Sequence, residues 1–491
     1  MKKNFRAFGF IVSVITICAL AIMLSMPSMS LAAPPKGEPI VIGYVGMVAS
    51  PGTRPCMDIQ AMAVREINEA GGILGRPVVY KVMDNKGDTS LSVEAARKLI
   101  IEDKASFVSV EGRTEICLAV QENSGTLFKE YPHILVFNGP MGSELTSRII
   151  DEAPKYDFCF RDWDPEPAHY AQTKYIMEKA WKKDLGVKKI AILWEDLSWT
   201  TEWRKGIEYI KLPTWEKMAN DVGLEVVYSK GVKPRGTMFF PILQEIAEKK
   251  ADLIFFVSSW FTDTDAFAKQ WADSAAKDIY VSFYGGVAQT YKFWDMTGGK
   301  ALGTMSSFTD LDTIPMTPKT MPLMKKAQRQ NIPMQIHVHI AYADIYHFKA
   351  AIEAAGGTND VKKLIKGMED VTTEYSLGKM KYETQKVKPF YHSRMRVDPN
   401  NPWKTYPGYY YQLLVQFQEG GKIAFLNESC EENVKAMSKF IHPELARTPA
   451  QLRKIAAGEL PPATIAPAKE VKKAAPKATK KAPPKATKKA K

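Results

Sequence analysis

The chain has 491 residues, 45% apolar and 25% charged. That composition excludes a wholly disordered polypeptide, and the length exceeds what one ordinary hydrophobic core organises. The formal charge of +13 divides unevenly: Lys469 to Lys491 holds ten lysines against one glutamate, and Lys2, Lys3 and Arg6 open the chain. Removing the +9 of that tail and the +3 of the N-terminus leaves about +1 on the body, which excludes a core that binds nucleic acid by neutralising phosphates.

The first elements concern export. A basic start, an uncharged apolar run from Ala7 to Met26 and the small-residue stretch Ser30-Leu31-Ala32-Ala33 predict a secretory signal over residues 1–33 and a periplasmic location. The apolar run is long enough to allow an uncleaved membrane anchor instead. Cys18 lies inside the run, which argues against a lipoprotein. Cys56, Cys117, Cys159 and Cys430 remain after cleavage and form no closely spaced ligand set. An oxidising compartment permits a Cys56–Cys117 disulfide, and buried free thiols are the equal alternative.

From Ile40 onward, short β-branched or aromatic runs alternate with helical stretches, which predicts a doubly wound α/β fold. Strands are expected at Ile40 to Val45, Val78 to Asp84, Phe107 to Val110 and Ile134 to Asn138. Between them come helices over Asp58 to Ala70, from a Thr89 cap through Ile100, and over Glu115 to Phe128. The alternation restarts with strands at Lys189 to Trp194, Glu225 to Tyr228, Leu253 to Val257 and Ile279 to Tyr284. A long helix from Gln335 to Ala355 reads as a return to the first lobe, and a strand over Tyr409 to Phe417 as a return to the second. Two lobes joined by several crossings make a hinged clamp, with a ligand cleft outside the carboxyl ends of the strands. From about Glu459 the composition collapses to Ala, Pro, Lys and Thr, with PKATKKA at Pro476 to Ala482 and again at Pro484 to Ala490, which predicts a disordered tail.

Gly71-Gly72-Ile73-Leu74-Gly75 follows a helix, whereas a dinucleotide loop follows a strand and opens a helix, so the glycines are read as a helix stop and turn. No GxSxG, HExxH or Walker sequence is present. His337 and His339 fall on different faces of the helix start, a poor metal pair. The scattered acidic residues read as solvated helix faces.

Two stretches resemble a known family. Gly43-Tyr44-Val45-Gly46 and Ala63-Val64-Arg65-Glu66-Ile67-Asn68-Glu69-Ala70-Gly71-Gly72-Ile73-Leu74-Gly75-Arg76 are similar to the branched-chain amino acid (Leu/Ile/Val-type) substrate-binding proteins of ABC transporters, which have the type I periplasmic binding fold. Ala95 to Ile100, Gly139 to Leu145 and Phe160-Arg161 extend the likeness, which covers most of residues 40–360 and fades between Lys379 and Pro407. It implies a Venus-flytrap clamp whose N-terminal lobe comprises residues 38–157 and 306–376 and whose C-terminal lobe comprises 158–305 and 377–450, with a tail over 459–491. It also implies the site. In the family, the loops after the third and fourth strands hold a ligand carboxylate and its flank. Here those loops supply Arg113 and Thr114, then Asn138, Gly139 and Met141. Where the family shows tyrosines in the second lobe, this chain has Trp199 and Trp260, and Tyr284 ends the next strand.

The two tryptophans and Tyr284 predict an aromatic-lined pocket in which each ring contributes roughly 1–3 kcal/mol. Trp163 and Trp203 are read as structural. The usual second-lobe carboxylate for a ligand ammonium is missing before Asp295. Either Glu111, Glu115, Glu195 or Asp196 takes that role, or the ligand is not an ordinary α-amino acid; an aromatic cage would also suit a quaternary cation. The expectation is a periplasmic solute-binding protein, not an enzyme and without cofactor or metal, that delivers a small amino-acid-like, aromatic or amide-type solute to an ABC permease. The alternative is a ligand sensor that signals to a receptor. The basic tail is expected either to touch anionic surfaces or to have no specific partner.

Overall fold

The computed structural model describes residues 34–308, 314–409, 413–427 and 430–462. The expected export signal and most of the basic tail lie outside these residues. Among them, no helix is long and apolar enough to cross a membrane.

Two sheets carry the architecture. The first has the order β2-β1-β3-β4-β5, formed by β1 (Ile40–Gly46), β2 (Val78–Asp84), β3 (Phe107–Glu111), β4 (Ile134–Asn138) and β5 (Cys159–Arg161). All its pairings are parallel. Phe107 to Val110 and all of β4 are buried, as expected of central parallel strands covered by helices on both faces. The covering helices are α1 (Arg54–Glu69), α2 (Thr89–Ile101), α3 (Thr114–Leu127) and α4 (Glu144–Asp151).

The second sheet has seven strands. Its parallel part comprises β6 (Lys189–Glu195), β7 (Glu225–Val232), β8 (Leu253–Val257), β9 (Tyr280–Tyr284) and β10 (Met305–Phe308). Two short ribbons precede its last strands in the chain: β11 (Thr373–Tyr375) with β12 (Gly378–Met380), and β13 (Val397–Asp398) with β14 (Asn401–Thr405). Then β15 (Leu413–Phe417) and β16 (Ile423–Asn427) add to β10 antiparallel, giving the order β16-β15-β10-β9-β8-β6-β7. The expected return strand is therefore present over Leu413–Phe417, and residues 410–412 of the expected range lie outside the described residues.

The chain crosses between sheets after β5, after β10 and before β15. The second crossing delivers the helix Ile336–Ala355 to the first sheet, where Phe348 stacks on Phe107 with ring centroids 4.4 Å apart. After β12 the chain runs along the edge strand β5. Arg161 pairs with Ser393 in a parallel bridge, and His392 stacks on Phe160 at 4.1 Å.

Local chemistry shifts two expected helix starts. α1 begins at Arg54 rather than Asp58, with Pro55 in its first turn, where a missing N–H costs nothing. α2 is capped by Asp88, whose carboxylate accepts from Leu91 N–H; Thr89 is already helical. The four cysteines in the described residues are buried free thiols, so the Cys56–Cys117 disulfide does not form here.

The glycine turn behaves as its composition predicts. Gly71, Gly72 and Gly75 have φ of +99°, +77° and +76°, and a Cβ on Gly72 would lie 2.0 Å from the Arg76 carbonyl oxygen. Gly72→Ala is expected to cost ~2 kcal/mol or more, whereas Gly75→Ala, with nothing within 4 Å of its Cβ position, costs only the ~1 kcal/mol of a left-handed alanine. Parallel thermal melts of the two variants check this, and equal losses would contradict it.

Candidate functional site

The carboxyl ends of the two sheets face each other, and their loops touch. A Cβ on Gly52, after β1, would sit 3.1 Å from the indole of Trp260, after β8. Only a bare backbone lets that ring seat so closely. The Arg113 guanidinium lies 6.0 Å from the centre of the Phe261 ring. Ser198 Oγ donates to Glu115 Oε1 at 2.9 Å, and Ser143 Oγ to Glu202 Oε2 at 2.6 Å. Each contact joins a loop or helix start at the carboxyl end of one sheet to one at the carboxyl end of the other, so the clamp is closed.

On the first side, Arg113 is exposed and is the N-cap of α3, with no side-chain cap bond. Thr114 is the first helical residue rather than a cap, and its hydroxyl accepts from Gly142 N–H at 3.3 Å, binding the next loop. Asn138 is buried, with its amide donating to Asp162. Gly139 N–H donates to the other oxygen of Asp162 at 3.2 Å, and the Gly139 backbone at φ +88° lies against His337. Met141 is buried, and its carbonyl accepts from Arg161. Arg113 and the start of α3 are thus presented to the opposing lobe, while Asn138 and Met141 are committed within the protein.

Glu111 ends β3 beneath these loops. Tyr44 and Thr53 each donate a hydroxyl to one of its oxygens. Burial pushes its carboxyl up to about 7 against those two donors.

On the second side, Glu195 ends β6 as a hub. It accepts from Ser259 N–H and Ser259 Oγ at 2.9 Å each, from Thr262 Oγ1 and from the indole N–H of Trp199. Four donors therefore fix the loop after β8, which carries Trp260, together with Trp199. Trp199 also meets Trp203 edge-on at 5.1 Å, and Trp203 stacks on Trp215 at 4.1 Å in the core. Trp199, Trp260 and Tyr284 are each half-buried.

Tyr284 shares a hydrogen bond with His169 Nδ1, and Arg396 Nη1 lies 3.1 Å from the same nitrogen. A guanidinium only donates, so Nδ1 is the acceptor and the neutral ring carries its proton on Nε2. Burial keeps the imidazole neutral, pushing it well below the ordinary histidine range. Arg396 is in turn paired with Asp164 at 2.9 Å and bonded to Gln172.

The periplasmic binding protein family model matches residues 39–394. The chain belongs to that family. Arg396 lies two residues beyond the matched stretch. This periplasmic binding protein is 24% identical over 321 residues to Leu/Ile/Val-binding protein homolog 3 of Brucella melitensis, covering 65% of this chain and 80% of that one. It is 25% identical over 342 residues to Leu/Ile/Val-binding protein BraC3 of Rhizobium johnstonii, covering 69% and 85%. Among solved structures, a putative branched-chain amino acid ABC transporter protein of Silicibacter pomeroyi superposes with a TM-score of 0.61 at 20% identity, over 79% of this chain and 96% of that one. A solute-binding protein of R. palustris in complex with 4-hydroxybenzoate does so with 0.60 at 20% identity, over 80% and 96%. These superpositions establish the type I periplasmic binding fold and nothing finer.

The acidic residues correct the sequence reading most. Asp162, Glu166 and Asp344 are not solvated helix faces but buried at the cleft and hinge, as are Glu111 and Glu195, which the sequence offered only as partners for a ligand ammonium. His169 and Arg396, which orient Tyr284, were also missed. The only available signal was position, since His169 and the Arg394–Arg396 pair occur in otherwise irregular stretches.

Proposed function

We propose that this periplasmic binding protein is the solute receptor of an ABC importer, closing on a small organic acid and presenting it to a membrane permease. The observation that carries this reading is the Trp260–Gly52 contact across facing strand ends, because capture by a clamp requires jaws that meet. Arg113, Thr114, Gly139, Trp199, Trp260 and Tyr284 are proposed to surround the solute, with Asn138 and Met141 supporting the first-lobe loop.

The chemistry of the rim favours a carboxylic acid with a flat apolar body over an α-amino acid. Glu195 is occupied by four donors, Asp196 faces Arg204 at 3.5 Å, Glu115 accepts from Ser198, and Glu111 is held by two hydroxyls. Glu195 and Glu111, the two buried carboxyl groups of the four, are already held by hydroxyl, amide and indole donors, which leaves an incoming ammonium only the exposed Glu115 and Asp196. An incoming carboxylate meets the Arg113 guanidinium and the N-terminus of α3, whose dipole favours an anion. Relatives carry Leu/Ile/Val-binding names, while structural neighbours were solved with 4-hydroxybenzoate, with 3,4-dihydroxybenzoic acid, with benzoate and with isoleucine.

Mass spectrometry of solutes released on denaturing native periplasmic protein, followed by melting with benzoate, 4-hydroxybenzoate, leucine and isoleucine, tests the reading. An aromatic acid at a hundredfold excess over Kd is expected to stabilise the fold by about 2.7 kcal/mol. Stabilisation by leucine or isoleucine alone would replace the aromatic acid with an amino acid. No bound solute and no stabilisation by any of them would sink the receptor role.

A further inference from the structure

Ser143 occupies the N-cap position of α4, yet its hydroxyl makes no cap bond to its own helix. It reaches across the cleft, 2.6 Å from Glu202 Oε2 and 3.1 Å from Glu166 Oε2. One hydroxyl carries one proton, so it can donate to only one of the two carboxyl groups; the other must donate to it or to its neighbour. The two carboxyl groups share that one hydroxyl, so a charge on one raises the proton affinity of the other. Glu166 is 1% exposed and Ser143 8%, and Glu202 is half-buried, so little water reaches the conflict.

The surrounding charges agree with a single shared proton. Arg161 on β5 is fully buried and donates only to neutral groups: the Met141, Gly142 and Pro389 carbonyls and the Thr146 and Ser393 hydroxyls. One negative charge on the Glu166–Glu202 pair balances that guanidinium, and a second would leave buried excess charge. The other ionisable groups facing the cluster are Glu144 on α4, Asp164 in the crossing segment, and the phenols of Tyr170 and Tyr209. Asp164 is already paired with Arg396. Glu144 adds negative charge and so further favours keeping the shared proton.

We propose that Ser143, Glu166 and Glu202 form a proton-dependent latch across the cleft, which favours the closed clamp as pH falls. Opening removes the Ser143 contact and admits water to the carboxyl groups, returning them toward ordinary carboxylate behaviour. Burial in the closed form raises both. A group raised in the closed form gives its full contribution below its open-state pKa, about 4.3 for a glutamate, and loses it as pH rises through the closed-state value. The closed fraction therefore declines from acid toward alkaline pH.

The test needs no solute, so it is independent of the importer reading. Spin labels on Lys86→Cys, in the loop after β2, and Lys233→Cys, after β7, report the jaw distance in the full-length chain at about pH 5 and about pH 8; both parent residues are exposed. The closed-to-open ratio is expected to fall about tenfold or more between those conditions, within the limit of tenfold per pH unit for one proton. Glu202→Gln, whose amide donates at every pH, should stay closed at both to within about twofold. Ser143→Ala, a milder change should the glutamine variant not fold, should bring the acid distribution to the alkaline one. Identical wild-type distributions at the two pH values would overturn the latch, as would a pH response in either variant equal to that of the wild type.

Discussion

Arg161→Met is expected to be the most damaging single substitution in this protein. The guanidinium is fully buried and spends its N–H groups on five acceptors: the Met141 and Gly142 carbonyls at 3.0 and 2.8 Å, Thr146 Oγ1 at 2.7 Å, the Pro389 carbonyl at 3.1 Å and Ser393 Oγ at 2.8 Å. Methionine fills much of the volume but satisfies none of them. Each orphaned buried acceptor costs about 1–3 kcal/mol where relaxation cannot repair it, and the Glu166–Glu202 charge loses its counterion as well. A net loss of about 3–5 kcal/mol is expected, which lowers the melting temperature by roughly 3–6 °C for a cooperative unit of this size. Arg161→Lys keeps the charge but not the planar fork, and should recover only part of this. A methionine variant melting within about a degree of the wild type would show that these acceptors find other donors.

The same residue shows where reading the sequence succeeds and where it stops. Phe160-Arg161 was legible as the crossing between lobes, because strand patterning and family likeness both mark that point. Arg161's partners were not, since Pro389 and Ser393 lie over 200 residues away in the stretch where the likeness fades. Strands such as β4 and β8 are legible because burial on both faces demands continuous apolar runs, which four residues of β4 and all five of β8 display. A buried carboxylate leaves no such trace. Glu195 has the local appearance of a solvated acid at a strand end, and its status depends on Ser259 and Thr262, more than 60 residues onward. The tryptophans fall between these cases. Their positions after β6 and β8 could be read, but not that Trp199 is tied by its indole N–H to Glu195 whereas Trp260 rests on the opposite lobe.

That difference separates the two rings experimentally. Trp260→Ala is expected to weaken binding of the solute released from the native protein by tenfold or more, about 1.4 kcal/mol, while the solute-free melting temperature stays nearly constant. The ring's seat is Gly52, across the cleft, so removing it subtracts from the closed, loaded form and little from either lobe alone. Trp199→Ala should instead lower the melting temperature, because it strips a donor from buried Glu195 and an edge-on partner from Trp203. Gly52→Ala supplies the complementary check. Its Cβ would press within 3.1 Å of the indole, so it should weaken capture in wild type and do so far less when Trp260 is already alanine. Calorimetric titration of the four proteins in that cycle measures the coupling. Strictly additive losses, or a Trp260→Ala variant that keeps its affinity but melts early, would place the ring in the core of its own lobe rather than between the jaws.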